Sequence, residues 1–277
     1  MSANLEVASP GRTDTRRQTV YGLVALVLSV MFVHSVYTLV IRPHAEEILA
    51  ARAATATTAP GARQTSLRSM WIILKDGEQE TCIILAVWSL CLLGMRAADV
   101  IKNRRLLALR FVDLQKDFVI LPEDTRAYTR HTASMAPDEQ DRLLPRALNI
   151  ALARFAVTRS VHEAAEAAKG ECETEAASLD SDLSMLRYTV WAIPAVGFVG
   201  TVRGIGNALQ DAQKALGGDI SGVTLGLGIT FNATLVARTS CILVMFLLHQ
   251  LQQAQDRLVL DTKSFVDRNL IARLRVS

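Results

Sequence analysis

Acidic side chains are absent from the four longest apolar segments of this 277-residue sequence. The motifs H-E-x-x-H and G-x-S-x-G do not occur, and no two of the four cysteines have C-x-x-C spacing. The five histidines are scattered along the chain. These absences argue against an intramembrane enzyme, a metal site and a disulfide framework, so we expect neither catalysis nor a bound cofactor. The histidines are His34, His44, His131, His162 and His249.

The four apolar segments are long enough to cross a bilayer, whose hydrocarbon core takes roughly 20 mostly apolar helical residues. We predict transmembrane helices over 20–41, 81–98, 188–210 and 221–249. The first is too long for a cleaved signal peptide, and no small-x-small site follows it. The second is the shortest, and a buried core helix is the alternative interpretation for it.

Positive charge predicts the orientation of these spans, because Lys and Arg near span ends stay on the cytoplasmic side. Arg12, Lys102, Arg187 and Arg257 all fall on one side if both termini are cytoplasmic. The formal charge of +3 is therefore a topology signal and does not indicate nucleic-acid binding. The segments predicted by this orientation are a cytoplasmic tail over 1–19, an outer segment with an interfacial helix over 42–80, a cytoplasmic helical domain over 99–187, an outer turn over 211–220 and a cytoplasmic helical tail over 250–277.

The predicted fold is an all-α integral membrane protein with four transmembrane helices. Small residues form a stripe on each of the last two spans, which lets membrane helices approach closely. Pro194 is expected to kink the third span. Helix packing alone explains the stripes, whose predicted packing glycines are Gly197, Gly200, Gly204 and Gly226.

Polar residues within the spans are costly and tend to be functional or paired. The hydroxyls of Thr201 and Thr234 are able to bind backbone, water or an ion, and satisfied packing hydroxyls are the alternative. Asn232 lies on roughly the opposite face of its helix from Thr234. Arg203 is near an outer helix end, whereas Arg238 is deeper and needs a carboxylate, carbonyls or water. Since the predicted spans contain no acid, both arginines are candidate contacts for a carboxylate of another chain.

The segments WAIPAVGFVGTVRGIGNAL (191–209) and GVTLGLGITFNATLVARTSCILVMFLLHQLQ (222–252) resemble the MotA/TolQ/ExbB proton-channel family. The shared pattern is a Pro followed by GF-x-GTV-x-GI on one span, and a small-aromatic-polar-x-Thr-Leu block on the next. The four-span layout is similar to the MotA branch. The resemblance covers about sixty residues and is more specific than a lone G-x-x-x-G.

The resemblance implies a stator-type subunit of an ion-driven motor in the bacterial inner membrane, with the outer segments in the periplasm. Members form pentamers around two copies of a single-span partner of the MotB, TolR or ExbD type. An Asp on the partner's helix carries the proton or sodium ion past pore-lining threonines, which correspond here to Thr201 and Thr234. Asn232 is a further candidate residue of the ion pathway, and a bond to a neighbouring helix is the alternative that its position on the opposite face favours.

The chain departs from the pattern of its relatives at three positions. ExbB-like members have a Glu at the start of the last span, near Ile229 of this chain. Many relatives have Asp at the position of Asn232, and most lack an Arg at position 238. These departures favour the alternative function, a non-conducting membrane scaffold or sensor that retains the packing faces.

Overall fold

The computed structural model describes residues 11–58, 69–108, 120–123, 125, 129–130, 132, 134–218 and 220–275. Residues 1–10 of the predicted tail and residues 59–68 of the predicted outer segment lie outside this part. The helices are α1 (Gly11–Val36), a π-helix (Tyr37–Ile41), α2 (Arg42–Thr58), α3 (Met70–Leu74), α4 (Gly77–Ala108), α5 (Pro137–Gln140), α6 (Leu143–Thr158), α7 (Val161–Asp182), α8 (Ser184–Gln210), α9 (Ala212–Leu216), α10 (Ser221–Asn269) and a 3₁₀ turn (Ile271–Arg273).

Four helical stretches are long and apolar enough to cross a membrane. Only 22% of the most apolar window of the second stretch is buried, so that helix is not the buried core helix considered above. Among the described residues there is no strand, and one isolated bridge joins Ile120 and Leu274. The prediction of an all-α membrane protein with four spanning helices is confirmed. The stretches are Val20–Ala51, Gly77–Leu107, Val161–Gln210 and Ser221–Arg273.

The chain divides into two compact units, one of residues 1–92 and 186–246 and the other of residues 93–185 and 247–277. In the first unit, side chains bond from helix to helix. Trp88 Nε1 on α4 donates to the carbonyl oxygen of Gly22 on α1 at 2.9 Å, and Ser89 Oγ donates to Thr189 Oγ1 on α8 at 2.8 Å. Such bonds help to hold membrane helices together, because lipid supplies no hydrophobic drive between them.

The π-helix allows the first helix to continue past Pro43. Proline lacks the N–H that a regular helix needs, and its ring presses on the carbonyl four residues earlier. Here Arg42 donates its N–H to the carbonyl of Tyr37, five residues back, which is the bond of a π-turn. Tyr37 is buried in a cluster with Val33 and Ile41. The helix therefore extends from α1 into α2 without an end at residue 41.

The second unit has its core between α6 and α7. Helix α6 ends at Arg159, whose φ of 53° is left-handed. Ser160 then caps α7, because its Oγ accepts the N–H of Glu163 at 3.3 Å. Residues spaced three or four apart on α6 pack against Ala164, Ala168 and Cys172 of α7. The buried residues of α6 are Leu143, Leu144, Pro145, Ala147, Leu148, Ala151, Leu152 and Phe155.

Candidate functional site

The small-residue stripes of α8 and α10 face each other. A Cβ added to Gly200 would lie 2.6 Å from the Cβ of Ala233, and one added to Gly226 would lie 2.7 Å from the backbone nitrogen of Ala208. The backbones are therefore too close for larger side chains. Gly197 meets Ala237 and Gly204 meets Thr230 in the same way. The structure thus brings together all four of the predicted packing glycines.

Thr201 and Thr234 meet at the centre of this contact. Their Oγ1 atoms lie 2.7 Å apart, and either hydroxyl is able to be the donor. Thr201 Oγ1 also lies 3.1 Å from the carbonyl oxygen of Gly197, and Thr234 Oγ1 lies 3.1 Å from that of Thr230. Each hydroxyl has one proton, so one threonine donates to the other while the second donates to its own helix. Oxygen lone pairs remain for a cation or a protonated carboxyl group.

Thr230 adds a third hydroxyl one helical turn from Thr234. Its Oγ1 donates to the carbonyl oxygen of Gly226 at 3.1 Å and lies 3.4 Å from that of Thr201. The residue is only 7% exposed, whereas Thr201 and Thr234 are half-buried. This burial, together with the contact of Thr230 with Gly204, indicates a packing role. The half-buried pair is the part of this cluster that a ligand is able to reach.

Pro194 interrupts the hydrogen bonds of α8 without ending the helix. Because it has no N–H, the carbonyl of Val190 loses its regular helical donor. Cys241 on α10 fills this place, with Sγ 3.3 Å from the carbonyl oxygen of Val190. The proline that the sequence marked as a hinge is therefore also a point of contact between α8 and α10.

Asn232 and Arg238 both belong to α10 and lie apart from the hydroxyl pair. Asn232 is 9% exposed and precedes Thr234 by two residues, which turns it by about 200° around the helix. Arg238 is exposed, and among the described residues it has no ion pair. Its predicted contact with another chain's carboxylate stays a prediction.

Arg203 pairs with a carboxylate of this chain. Its Nη2 lies 2.7 Å from Glu78 Oε2, and the Glu78 side chain is only 13% exposed. The predicted span boundary did not include this pair, because the predicted second span begins at residue 81 whereas α4 begins at Gly77. The signal was present in the two glutamates of that turn, since acids favour the first turn of a helix.

Glu80, the second acid of that turn, joins α4 to the first helix. Its Oε1 lies 2.7 Å from His34 Nδ1, and its Oε2 accepts a hydrogen bond from Arg42 Nη2 at 2.7 Å. Eight residues of regular α-helix would turn Arg42 about 80° past His34. The π-turn between them holds one residue more than an α-turn, which returns both side chains to one face. The π-turn thus explains why both bases reach the same carboxylate.

These features define a class of protein, an all-α membrane protein in which two closely packed spans hold a hydroxyl pair. Residues 136–264 match the model of the MotA/TolQ/ExbB proton channel family. The resemblance seen in the sequence is therefore confirmed over that range. The family is one of channels and not of enzymes. A search of the curated proteins finds no match.

Proposed function

We propose that the chain is a stator-type subunit of an ion-driven motor in the bacterial inner membrane, with both termini in the cytoplasm. Five copies would surround two copies of a single-span partner of the MotB, TolR or ExbD type. The observation that carries this proposal is the hydroxyl pair Thr201–Thr234, which lies within the matched range and between two tightly packed spans. Ion flow, of protons or sodium, would be converted into rotation or force without any bound cofactor.

In the proposed mechanism, an Asp on the partner's helix binds the ion beside Thr201 and Thr234. Neutralising that carboxylate removes the electrostatic reason for its position, and the partner moves on to the next subunit. One charge that crosses 100 mV yields about 2.3 kcal/mol, which is enough to bias such a step. The half-buried threonine hydroxyls suit this role because they offer lone pairs without a competing charge.

A membrane scaffold or sensor is the second candidate. It is favoured by the contacts of the same threonines, since each hydroxyl also has a carbonyl acceptor on its own helix. Hydroxyls that are satisfied in this way need no ion. The exposed positive charge of Arg238 on α10 also favours a subunit that does not pass cations.

Ion flux separates the two candidates. The full chain is purified from its host membranes together with the proteins that accompany it and reconstituted in liposomes, where proton and sodium flux are measured separately. We expect Thr201→Val and Thr234→Val to abolish flux while the oligomer keeps its size. The matched control is Thr224→Val on α10, the helix of Thr234, where the exposed hydroxyl donates to the carbonyl of Ile220. Wild-type flux in both valine variants, or no flux in the wild type, favours the scaffold.

A further inference from the structure

Arg203 poses an electrostatic problem for a cation channel. It follows Thr201 by two residues on α8, so the two side chains are separated by about 3 Å along the axis and point in roughly opposite directions. Its guanidinium is always charged and its side chain is 46% exposed. We propose that Glu78 is a positioning residue that neutralises Arg203 and so allows a cation to reach the Thr201–Thr234 pair. This role rests on the proposed function.

The aliphatic part of the Glu78 side chain packs against Gly200, which has no side chain of its own and so leaves room for it. A Cβ at position 200 would lie 3.3 Å from Glu78 Cγ and 3.4 Å from its Cβ. The glutamate therefore crosses the glycine and reaches Arg203 on the next turn of α8. Gly200 also faces Ala233 of α10, so the three helices α4, α8 and α10 meet at this glycine.

The charge of Glu78 is supported by its place in the fold. Glu78 belongs to the first turn of α4, where the helix dipole favours a negative charge. Its Oε2 lies 2.7 Å from Arg203 Nη2, an ion pair without the alignment of a hydrogen bond, and its side chain is 13% exposed. The two partners differ in exposure, since the Glu78 carboxylate is nearly buried and the Arg203 guanidinium is about half exposed. Removal of the glutamate would therefore leave the positive charge in place.

The expected size of the effect follows from Coulomb's law. A helix with its side chains is about 10–12 Å across, so Arg203 acts on the hydroxyl pair through its field and not by contact. An uncompensated charge at about 10 Å, in an effective dielectric of about 20, lowers cation occupancy by roughly tenfold. The half-open guanidinium, and the electrostatic interaction of Arg203 with the nearby Asp76, make this figure an upper value.

The test measures how flux depends on ion concentration in the reconstituted complex. For sodium this is the concentration that gives half-maximal flux, and for protons it is the corresponding outside pH. We expect Glu78→Gln to raise the half-maximal ion concentration up to about tenfold. Arg203→Gln should lower it, because the unpaired carboxylate then attracts cations. The double variant Glu78→Gln/Arg203→Gln should return close to the wild type.

The decisive result is that the two single variants shift the half-maximal ion concentration in opposite directions. If the pair only held the helices together, both variants would reduce flux in the same direction. Glu46→Gln, which removes one exposed negative charge from α2, is the matched control and should leave the half-maximal concentration unchanged. If Glu78→Gln does not assemble, Arg203→Gln alone decides, and an increase overturns the role of Glu78. Wild-type flux with no shift in Glu78→Gln overturns this role alone, whereas absence of wild-type flux overturns the proposed function as well.

Discussion

The thiol of Cys241 takes the place of a backbone donor for Val190. Its Sγ lies 3.3 Å from that carbonyl oxygen, which Pro194 leaves without a regular helical bond. A carbonyl buried without any donor costs about 1–3 kcal/mol. The thiol is a weak donor, so we expect it to recover the lower part of that range.

We therefore expect Cys241→Ala to lower the free energy of unfolding by about 1 kcal/mol in the native chain. In the Pro194→Ala background the same change should cost less, because an alanine at position 194 restores the N–H for Val190. The loss of sulfur packing is common to both backgrounds, so a double-mutant cycle isolates the hydrogen bond. Unfolding of the full chain in mixed detergent micelles gives the four values. Equal costs in both backgrounds would show that the thiol does not serve Val190.

Two glycines on α10 should respond in opposite ways to alanine. At Gly226 a Cβ would lie 2.7 Å from both the nitrogen of Ala208 and the carbonyl oxygen of Gly204, and these backbone atoms are not free to move away. At Gly228 nothing lies within 4 Å. We expect Gly226→Ala to destabilise the chain by about 1–3 kcal/mol through overpacking. Gly228→Ala should leave stability unchanged or raise it by up to about 1 kcal/mol.

Thermal unfolding of Gly226→Ala, Gly228→Ala and the wild type tests these two predictions. The comparison is internal, since both substitutions add one methyl group to the same helix two residues apart. A loss of stability in Gly228→Ala as large as that in Gly226→Ala would contradict the close approach of α8 and α10.

Asp76, just before α4, should make stability depend on pH. Burial raises the pKa of its carboxyl group and Glu78 adds to this, while Lys75 and Arg203 oppose it. An acid whose pKa is raised by folding contributes stability at low pH that is lost as the pH rises through its folded pKa. We therefore expect Asp76→Asn to be more stable than the wild type at pH 7. The difference should shrink toward the ordinary aspartate pKa of 3.8.

The unfolding free energies of the wild type and Asp76→Asn, measured across this pH range, show which of the two is more stable at neutral pH. Glu46→Gln, at an exposed position of α2, controls for the loss of one negative charge. A wild type that is more stable than Asp76→Asn at neutral pH would mean that the carboxylate is stabilised and not penalised by its surroundings.

Gln255, in the C-terminal part of α10, carries a buried amide donor. The residue is 4% exposed, and its Nε2 has no acceptor among the described residues. It lines a cavity of about 290 Å³ together with residues of α7 and α10. Because a buried donor without a partner pays its full desolvation cost, Gln255→Leu should stabilise the chain by about 1 kcal/mol.

The control for this change is Gln253→Leu, at an exposed position where the amide nitrogen lies 3.0 Å from His249 Nε2. Its melting temperature should stay within a degree or two of the wild type, as is usual for exposed positions. A Gln255→Leu variant that melts below the wild type would indicate that the amide binds a partner in the folded protein.

The contact of α8 with α10 could be predicted because it depends on the spacing of small residues within each helix. Gly197, Thr201, Gly204 and Ala208 share one face by their spacing alone, and closely packed membrane helices require such a face. The spacing also placed Thr201 and Thr234 on facing stripes. Their hydrogen bond follows from the register of the two helices, which the sequence patterns did not specify.

The ion pairs of α4 could not be predicted in the same way. Periodicity gives the direction of a side chain on its own helix, and it does not reveal which other helix lies there. Glu78 and Arg203 are far apart in sequence, and the predicted second span begins at residue 81, after the glutamate. The π-turn was missed for a related reason. The predicted first span ends at residue 41, whereas Pro43 lies inside a continuous helix that extends to Thr58.

The paired stripes have a mechanical consequence. Ala208 fits only opposite Gly226, and Thr201 reaches Thr234 only in this alignment. A slide by one turn, about 5.4 Å, would press Ala208 against Thr230 and part the two threonines. Sliding of α8 along α10 in that direction is thereby blocked. In the proposed motor, a slide in that direction would be replaced by a tilt or rotation of the two helices as one unit.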